Sequence, residues 1–229
     1  MELNFLGSLL HLADPTLPIG GYSHSGGLET YVQQGIVCNA ASAKLYVTNM
    51  LAHNIKYNDA AFMKLAFEAA AQNDIGCIVR LDQECTALKS AMEIRQASQK
   101  LGLRLIKIFR RQKVFPLITL YEKAIAEKSA EAHYCIVFGA YAQLLGLPLA
   151  EALFAFYYNA AIGMITNSVK LVPLGQLDGQ DILFELQPLL KQLVAESLSL
   201  DRSLVGLCSI AFDIRCMQHE RLYSRLYMS

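Results

Sequence analysis

A histidine stands between two serines in residues 16–32, which read TLPIGGYSHSGGLETYV, and a glycine pair lies on either side. A serine beside a histidine could form a nucleophile and its general base, as in a hydrolase. The nucleophile elbow of such enzymes is Gly-x-Ser-x-Gly at a turn from a strand into a helix. Ser23 has Gly21 before it but Ser25 after it, so the pattern is incomplete. A small serine hydrolase that uses Ser23 or Ser25 with His24 remains the alternative function.

The same stretch lacks the residues that a phosphate or metal site needs. A Walker loop requires a lysine after its last glycine, and no lysine follows Gly26 or Gly27. The other histidines have no second histidine or cysteine at ligand spacing, and the six cysteines form no Cys-x-x-Cys pair. We therefore predict no catalytic residues, no cofactor and no metal site within one chain, while a metal site shared between subunits stays open.

A structural turn accounts for the glycines without any chemistry. Gly20 and Gly21 allow positive φ or a close backbone approach. Ser25 is predicted to be the N-cap of the next helix, which would end at Gly35. The turn would either pack two helices together or present side chains to a partner. Its candidate partner-binding residues are Tyr22, His24 and Glu29.

Helical periodicity covers nearly the whole chain, and strand signals are poor. The predicted helices cover residues 5–12, 25–34, 40–73 with a break near 57–59, 74–89, 91–111, 117–127, 133–145, 150–169 and 181–197. Residues 171–180 are predicted to be a connector, and Pro188 is expected to kink the helix that contains it. We predict an all-α fold, in which residues 1–229 form a single-domain bundle of about nine or ten helices.

The composition restricts the possible partners. Hydrophobic residues make up 54% of the chain, and 20 basic residues balance 20 acidic ones, so no nucleic-acid partner is predicted. The longest apolar runs, 134–149 and 152–165, fall short of a membrane span of roughly 20 residues. The N-terminus lacks the features of a signal peptide, which indicates the cytoplasm. The excess of apolar residues indicates a buried subunit interface and hence a homodimer.

The C-terminal segment could bind a partner. Read as a helix, it places three pairs at i, i+4: Arg221 with Arg225, Leu222 with Leu226, and Tyr223 with Tyr227. An apolar and aromatic face beside an arginine row is typical of a helix that binds a groove on another protein. We predict that residues 216–229 are a partner-binding tail that becomes ordered only against a partner. The alternative is a terminal helix folded back on its own core.

Five blocks of the sequence are similar, in the same order, to those of the UreF family of urease accessory proteins. They are LPIGGYSHSGGLE (17–29), EIRQASQKLG (93–102), HYCIVFGAYAQLLGLP (133–148), NSVKLVPLGQLDGQ (167–180) and MQHERLYSRLYMS (217–229). Together they span nearly the whole chain. The chain differs from many relatives in having Tyr22 and Tyr227 where they have phenylalanine.

The resemblance implies an all-α homodimer without catalytic activity. It implies a chaperone that bridges UreD (also called UreH) and the GTPase UreG, and that acts with them on apo-urease during nickel insertion. The family is linked to the passage of nickel, although this chain has no evident ligand cluster. Lys170 lies where relatives have a basic residue with a proposed effect on the GTPase. The partner-binding residues that we predict are Tyr22, His24, Glu29, Lys170, Gln176, His219, Arg221, Leu222, Tyr223, Arg225, Leu226 and Tyr227.

Overall fold

The structure, a computed structural model, describes residues 4–228 and contains no strand in that range. Its helices are α1 (Leu6–Leu12), α2 (Leu28–Gln33), α3 (Ala40–Asn49), a π-helical segment (Met50–Ala60), α4 (Ala61–Ala71), α5 (Ile75–Leu88), α6 (Met92–Arg110), α7 (Pro116–Ala126), α8 (Tyr134–Leu144), α9 (Leu149–Leu171), α10 (Gln176–Glu185), α11 (Gln187–Leu198) and α12 (Ile210–His219). The predicted all-α class is confirmed. Because α3 and α4 are joined, the described residues form eleven separate helices. The sequence pattern predicts nine or ten.

The predicted break near residues 57–59 is wrong. The π-helical segment joins α3 to α4 without interruption, so residues 40–71 form one continuous helix. Asn58, which is a poor helix former, donates from its side-chain amide to the carbonyl of Asn54 at 3.1 Å. The polar stretch that the sequence pattern predicts to be a break is therefore helical, with the wider turns of a π-helix.

The predicted connector at residues 171–180 is also wrong in its second half, where α10 begins. Gly175 precedes that helix, and its amide donates to the Asp178 side chain at 2.8 Å. Pro188 does not kink a long helix. It lies in the first turn of α11, where its missing N–H is not needed. Two short helices thus replace the single one predicted for residues 181–197.

The core is built around α8 and α9. Gly139 lies against the Met63 carbonyl of α4, so closely that a Cβ atom there would overlap the backbone. The small residue at this position lets α4 approach the backbone of α8. Tyr141 and Phe138 fill the space on the other faces of α8, and both are fully buried. The close packing of α4 on α8 at this point therefore requires glycine.

Among the described helices, α9 alone is long and apolar enough to cross a membrane by length and composition. It is longer than the apolar run predicted from the sequence, since it continues through Lys170. It packs against α1, α2, α3, α10, α11 and the π-helical segment. Asn159 and Asn167 donate from it to the carbonyls of Ala13 and His24. These contacts are those of a central helix in a bundle.

A buried polar cluster fixes the position of α6. Asp82 accepts hydrogen bonds from the Tyr121 hydroxyl at 2.7 Å, from the His133 amide at 2.9 Å and from the Glu131 amide. The His133 ring lies between the hydroxyls of Thr86, at 2.9 Å, and Ser98 of α6, at 3.1 Å. His133 is therefore a hydrogen-bonded core residue. It helps to hold α6, which contacts both Ile19 and His219.

Candidate partner-binding site

Helix α6 holds the segment that contains the two glycine pairs, residues 20–27, which we call the glycine turn. Gly20 has φ of +83°, and its missing side chain leaves space for the guanidinium of Arg104. Arg104 donates to the Ile19 carbonyl at 2.9 Å. The helix that follows begins at Leu28 with Gly27 as its N-cap, so the prediction of Ser25 as N-cap is wrong. The glycines allow a left-handed backbone at the helix start, and this removes the need for a capping side chain.

The hydrolase alternative has no support in this geometry. The Ser23 hydroxyl donates to the Gly20 carbonyl at 2.7 Å, a bond that closes the turn. Ser25 is buried, and no strand precedes either serine in residues 4–228. Burial, followed by the positive charges of Lys100 and Arg104, lowers the pKa of His24 below its ordinary value. His24 is half-buried, and its carbonyl accepts from Asn167 at 2.8 Å.

The C-terminal helix α12 packs directly on the glycine turn. A Cβ atom at Gly27 would lie 2.7 Å from the Sγ atom of Cys216, so only glycine allows this approach. Gly27 also has φ of +81°, which L-residues with a side chain rarely adopt. Thr30, one turn into α2, donates its hydroxyl to the Arg215 carbonyl at 3.0 Å. The second glycine pair therefore serves contact with the end of the chain.

Glu29 is the acceptor that holds the C-terminal segment. Its side chain is only 6% exposed and receives the amides of Leu226 at 2.7 Å and Tyr227 at 3.2 Å. Nε2 of His219 lies 3.1 Å from the same carboxylate. A buried carboxylate needs such donors, because an unpaired charge away from water is costly. Glu29 therefore ties a segment almost 200 residues further along the chain to the first turn of α2.

Glu93, at the start of α6, completes this arrangement. Its carboxylate lies 2.6 Å from Nδ1 of His219 and 2.7 Å from the Arg225 guanidinium. The His219 ring therefore lies between the carboxylates of Glu29 and Glu93, and the Arg225 guanidinium adds a positive charge beside Glu93. We call Glu29, Glu93, His219 and Arg225 the carboxylate latch.

The prediction of a helix through residue 227 is wrong. The helix α12 ends at His219, and the chain from Glu220 onward is irregular, so the pairs predicted at i, i+4 do not stack on one helical face. The Met228 amide donates to the Ser23 carbonyl at 2.9 Å, and Gln33 donates to the Ser224 carbonyl at 3.0 Å. In the structure the tail thus lies against its own chain. The backbone groups of the tail that bind the glycine turn and α2 are the amides of residues 226, 227 and 228 and the carbonyl of Ser224.

The latch leaves apolar side chains on the outside. Tyr22, Tyr223, Leu226 and Met228 are exposed, and we call these four residues the tail patch. Three residues of α12 at i, i+4 and i+7 are exposed as well, namely Ile210, Ile214 and Met217, which we call the α12 stripe. Tyr227 points the other way and is buried, although its hydroxyl has no partner among the described residues. A phenylalanine would therefore fill the same place.

Apart from His24, whose surroundings are given above, the predicted site residues fall into four groups. Glu29, His219, Arg225 and Tyr227 hold the tail, whereas Tyr223 and Leu226 on the tail and Tyr22 on the glycine turn are exposed. Leu222 is half-buried, and Arg221 is exposed. Lys170 and Gln176 are exposed on α9 and α10 and make no hydrogen bond or ion pair with the latch. The structure brings the first two groups together and leaves Lys170 and Gln176 outside them.

Sequence reasoning missed Glu93 and the α12 stripe. Glu93 lies in a block that resembles the family, but nothing local indicates that a residue 126 positions away contacts it. The stripe was detectable, because Ile210, Ile214 and Met217 have helical spacing. Within residues 4–228 no group of three His, Cys, Asp or Glu side chains could hold a metal ion. The latch residues bind one another instead.

Comparison with known proteins identifies the class. The chain matches the UreF family over residues 37–187. It is 54% identical to "Urease accessory protein UreF" of Actinobacillus pleuropneumoniae serotype 3 (strain JL03) over 224 residues, 98% of this chain and 99% of the relative. It is 52% identical to the protein of that name from Haemophilus influenzae (strain ATCC 51907 / DSM 11121 / KW20 / Rd), over 100% of this chain and 97% of the relative. It is 34% identical to the one from Bacillus sp. (strain TB-90), over 99% and 100%.

These relatives are all urease accessory proteins, and the match includes both chain ends, which the family match at 37–187 leaves out. The chain belongs to the UreF family.

Proposed function

We propose that the protein is a non-catalytic scaffold for the maturation of the urease nickel centre. In this role it bridges UreD (UreH) and the GTPase UreG on apo-urease, and it works in the cytoplasm without making or breaking bonds itself. The observation that carries the proposal is the latched tail, an ordered platform that exposes the tail patch and the α12 stripe. Side chains held in one conformation before binding lose less entropy when a partner covers them.

The exposed side chains are of the kind that anchors protein interfaces. Full burial of a Leu, Ile or Met side chain contributes about 1.5–3 kcal/mol. Tyrosine is enriched among the residues that dominate binding energy. Leu226 is 69% exposed and Ile214 46% exposed, so both have apolar area left to bury. We assign this surface to UreD and leave Lys170 and Gln176, on other helices, as candidates for contact with UreG.

We also propose that the working form is a homodimer. Large apolar side chains remain exposed far from the latch, including Leu10 on α1 and Phe184 on α10. Obligate subunit interfaces cover apolar surface of this kind. Sedimentation equilibrium of the isolated protein at micromolar concentration is expected to give twice the chain mass. A single species with the mass of one chain would contradict this proposal.

The scaffold is tested by a pull-down of the tagged chain with UreD and UreG, with and without GTP and nickel. The double variant Ile214→Asp/Met217→Asp is expected to lose UreD, because two carboxylates would be buried unpaired at the interface. Leu45→Asp, which introduces a carboxylate at an exposed position on α3, is the control and should retain UreD. Full recovery of UreD by the double variant would contradict the assignment of this surface.

A further inference from the structure

A groove between α6 and α7 lies outside the latch. Its floor is apolar and includes Leu103, Ile106 and Ile125, and its rim carries Lys107, Arg110 and Arg111. The space it encloses is about 540 Å³. Leu103 is 44% exposed although it lies at the edge of the floor. The groove therefore differs from an ordinary solvent-exposed helix face, because apolar side chains line it between the basic residues.

Positive charge is concentrated on this part of the chain. Residues 94–113 hold seven of the 20 basic residues and none of the 20 acidic ones. Arg104 is bound to the Ile19 carbonyl, and Arg95 to the Lys89 carbonyl. By contrast, Lys107 and Arg111 have neither an ion pair nor a hydrogen bond within residues 4–228. The rim therefore carries two uncompensated charges in a protein of zero net charge.

A third rim residue shows what the groove accepts. Arg110 donates to Glu122 of α7 at 3.0 Å, and Glu122 is the only carboxylate among the groove residues that the structure describes. Lys107 and Arg110 lie at i and i+3 in α6, and Arg111, at i+4, is its C-cap residue. Carboxylates at the same spacing on an opposed helix would face them turn by turn. The apolar floor would receive the other face of that helix.

We propose that this groove binds an acidic amphipathic helix of another protein of the urease assembly. The choice of partner class rests on the scaffold function proposed above, whereas the chemistry rests on the groove alone. Charge complementarity selects an acidic segment, and the apolar floor selects one with an amphipathic face. A nucleic-acid backbone would leave the floor uncovered. A membrane surface is flat and would not enter a channel between two helices.

The test uses the full chain with UreD, UreG and apo-urease, and biolayer interferometry at 50 and 500 mM NaCl. The variant Lys107→Glu/Arg111→Glu is expected to bind one of the three proteins at least about tenfold more weakly at low salt. At high salt the difference should shrink to about threefold or less, because exposed charges are screened. A carbodiimide, which links amines to carboxylates in direct contact, should join Lys107 to an acidic helix of that protein.

The matched control is Arg80→Glu/Lys191→Glu, which makes the same change in net charge at exposed positions on α5 and α11. It should bind within about twofold of the unchanged protein. Equal binding by the groove variant, or cross-links to a non-helical segment, would overturn the groove proposal while the scaffold stands. If the unchanged chain captures none of the three proteins, the scaffold function and its partner class both fail. Groove-dependent binding to phosphatidylglycerol vesicles or duplex RNA, or a changed oligomeric state of the variant, would also overturn the proposal.

Discussion

Removal of residues 218–229 is expected to abolish co-purification with UreD while the helical core stays folded. The deletion removes the tail patch residues Tyr223, Leu226 and Met228 and the latch residue His219. The core helices α4, α8 and α9 keep their mutual contacts. Glu29 would not be left as a buried unpaired charge, because removal of the tail also opens it to water. We therefore expect the free energy of unfolding to fall only by the contribution of a few hydrogen bonds, each about 1 kcal/mol.

The measurement is a pull-down with UreD, accompanied by circular dichroism and thermal unfolding of the free protein. The matched variant Tyr223→Ser/Leu226→Ser keeps the backbone amide of residue 226 on Glu29 but removes two exposed apolar side chains. It should also lose UreD, with an unchanged melting temperature. Together the two variants distinguish the contribution of the tail as a whole to UreD binding from that of its exposed apolar side chains. A truncated chain that still recovers UreD in full would contradict the assignment of the tail.

Local periodicity was sufficient for the elements with one clear apolar face. The predicted helix 91–111 corresponds to α6, and 74–89 corresponds to α5 with Asp74 as its N-cap. Prediction failed where a specific contact sets the start of a helix differently from what the local residue types indicate. Gly175 indicates a connector, but its bond to Asp178 starts α10. Likewise Ser25 is a good N-cap by type, yet the close approach of Cys216 requires glycine at position 27, and the helix starts there instead.

The candidate site was predictable in its parts but not in its arrangement. Glu29 and His219 were both assigned to partner binding, and their mutual contact spans 190 residues. No spacing within a single sequence indicates such a pair. The tail was assigned a helical face by an i, i+4 pattern. The chain leaves the helix at His219 because the amides of residues 226 and 227 bind Glu29, and a helix would use those amides for its own bonds.

Glu29→Ala is expected to release the tail without unfolding the bundle. The substitution leaves the amides of Leu226 and Tyr227 without acceptors and removes the partner of Nε2 of His219. Each buried donor left unpaired costs about 1–3 kcal/mol. A terminal segment can avoid that cost by moving into water, so the damage stays local. Trypsin cleavage after Arg221 and Arg225 should become at least about tenfold faster, as expected for a released terminus.

A further variant at the latch, with a control on α4, distinguishes charge from hydrogen bonding. Glu29→Gln keeps an oxygen that can accept one amide but loses the charge opposite His219, so its cleavage rate should be intermediate. Glu68→Gln, at a carboxylate of α4 whose side chain is 44% exposed, is the control and should leave the rate unchanged. UreD binding should fall in the same order as the cleavage rate rises, because only the docked tail presents Tyr223 and Leu226 together with Tyr22. If Glu29→Ala instead lowers the melting temperature of the whole protein sharply and leaves the tail protected, Glu29 supports the core rather than the platform.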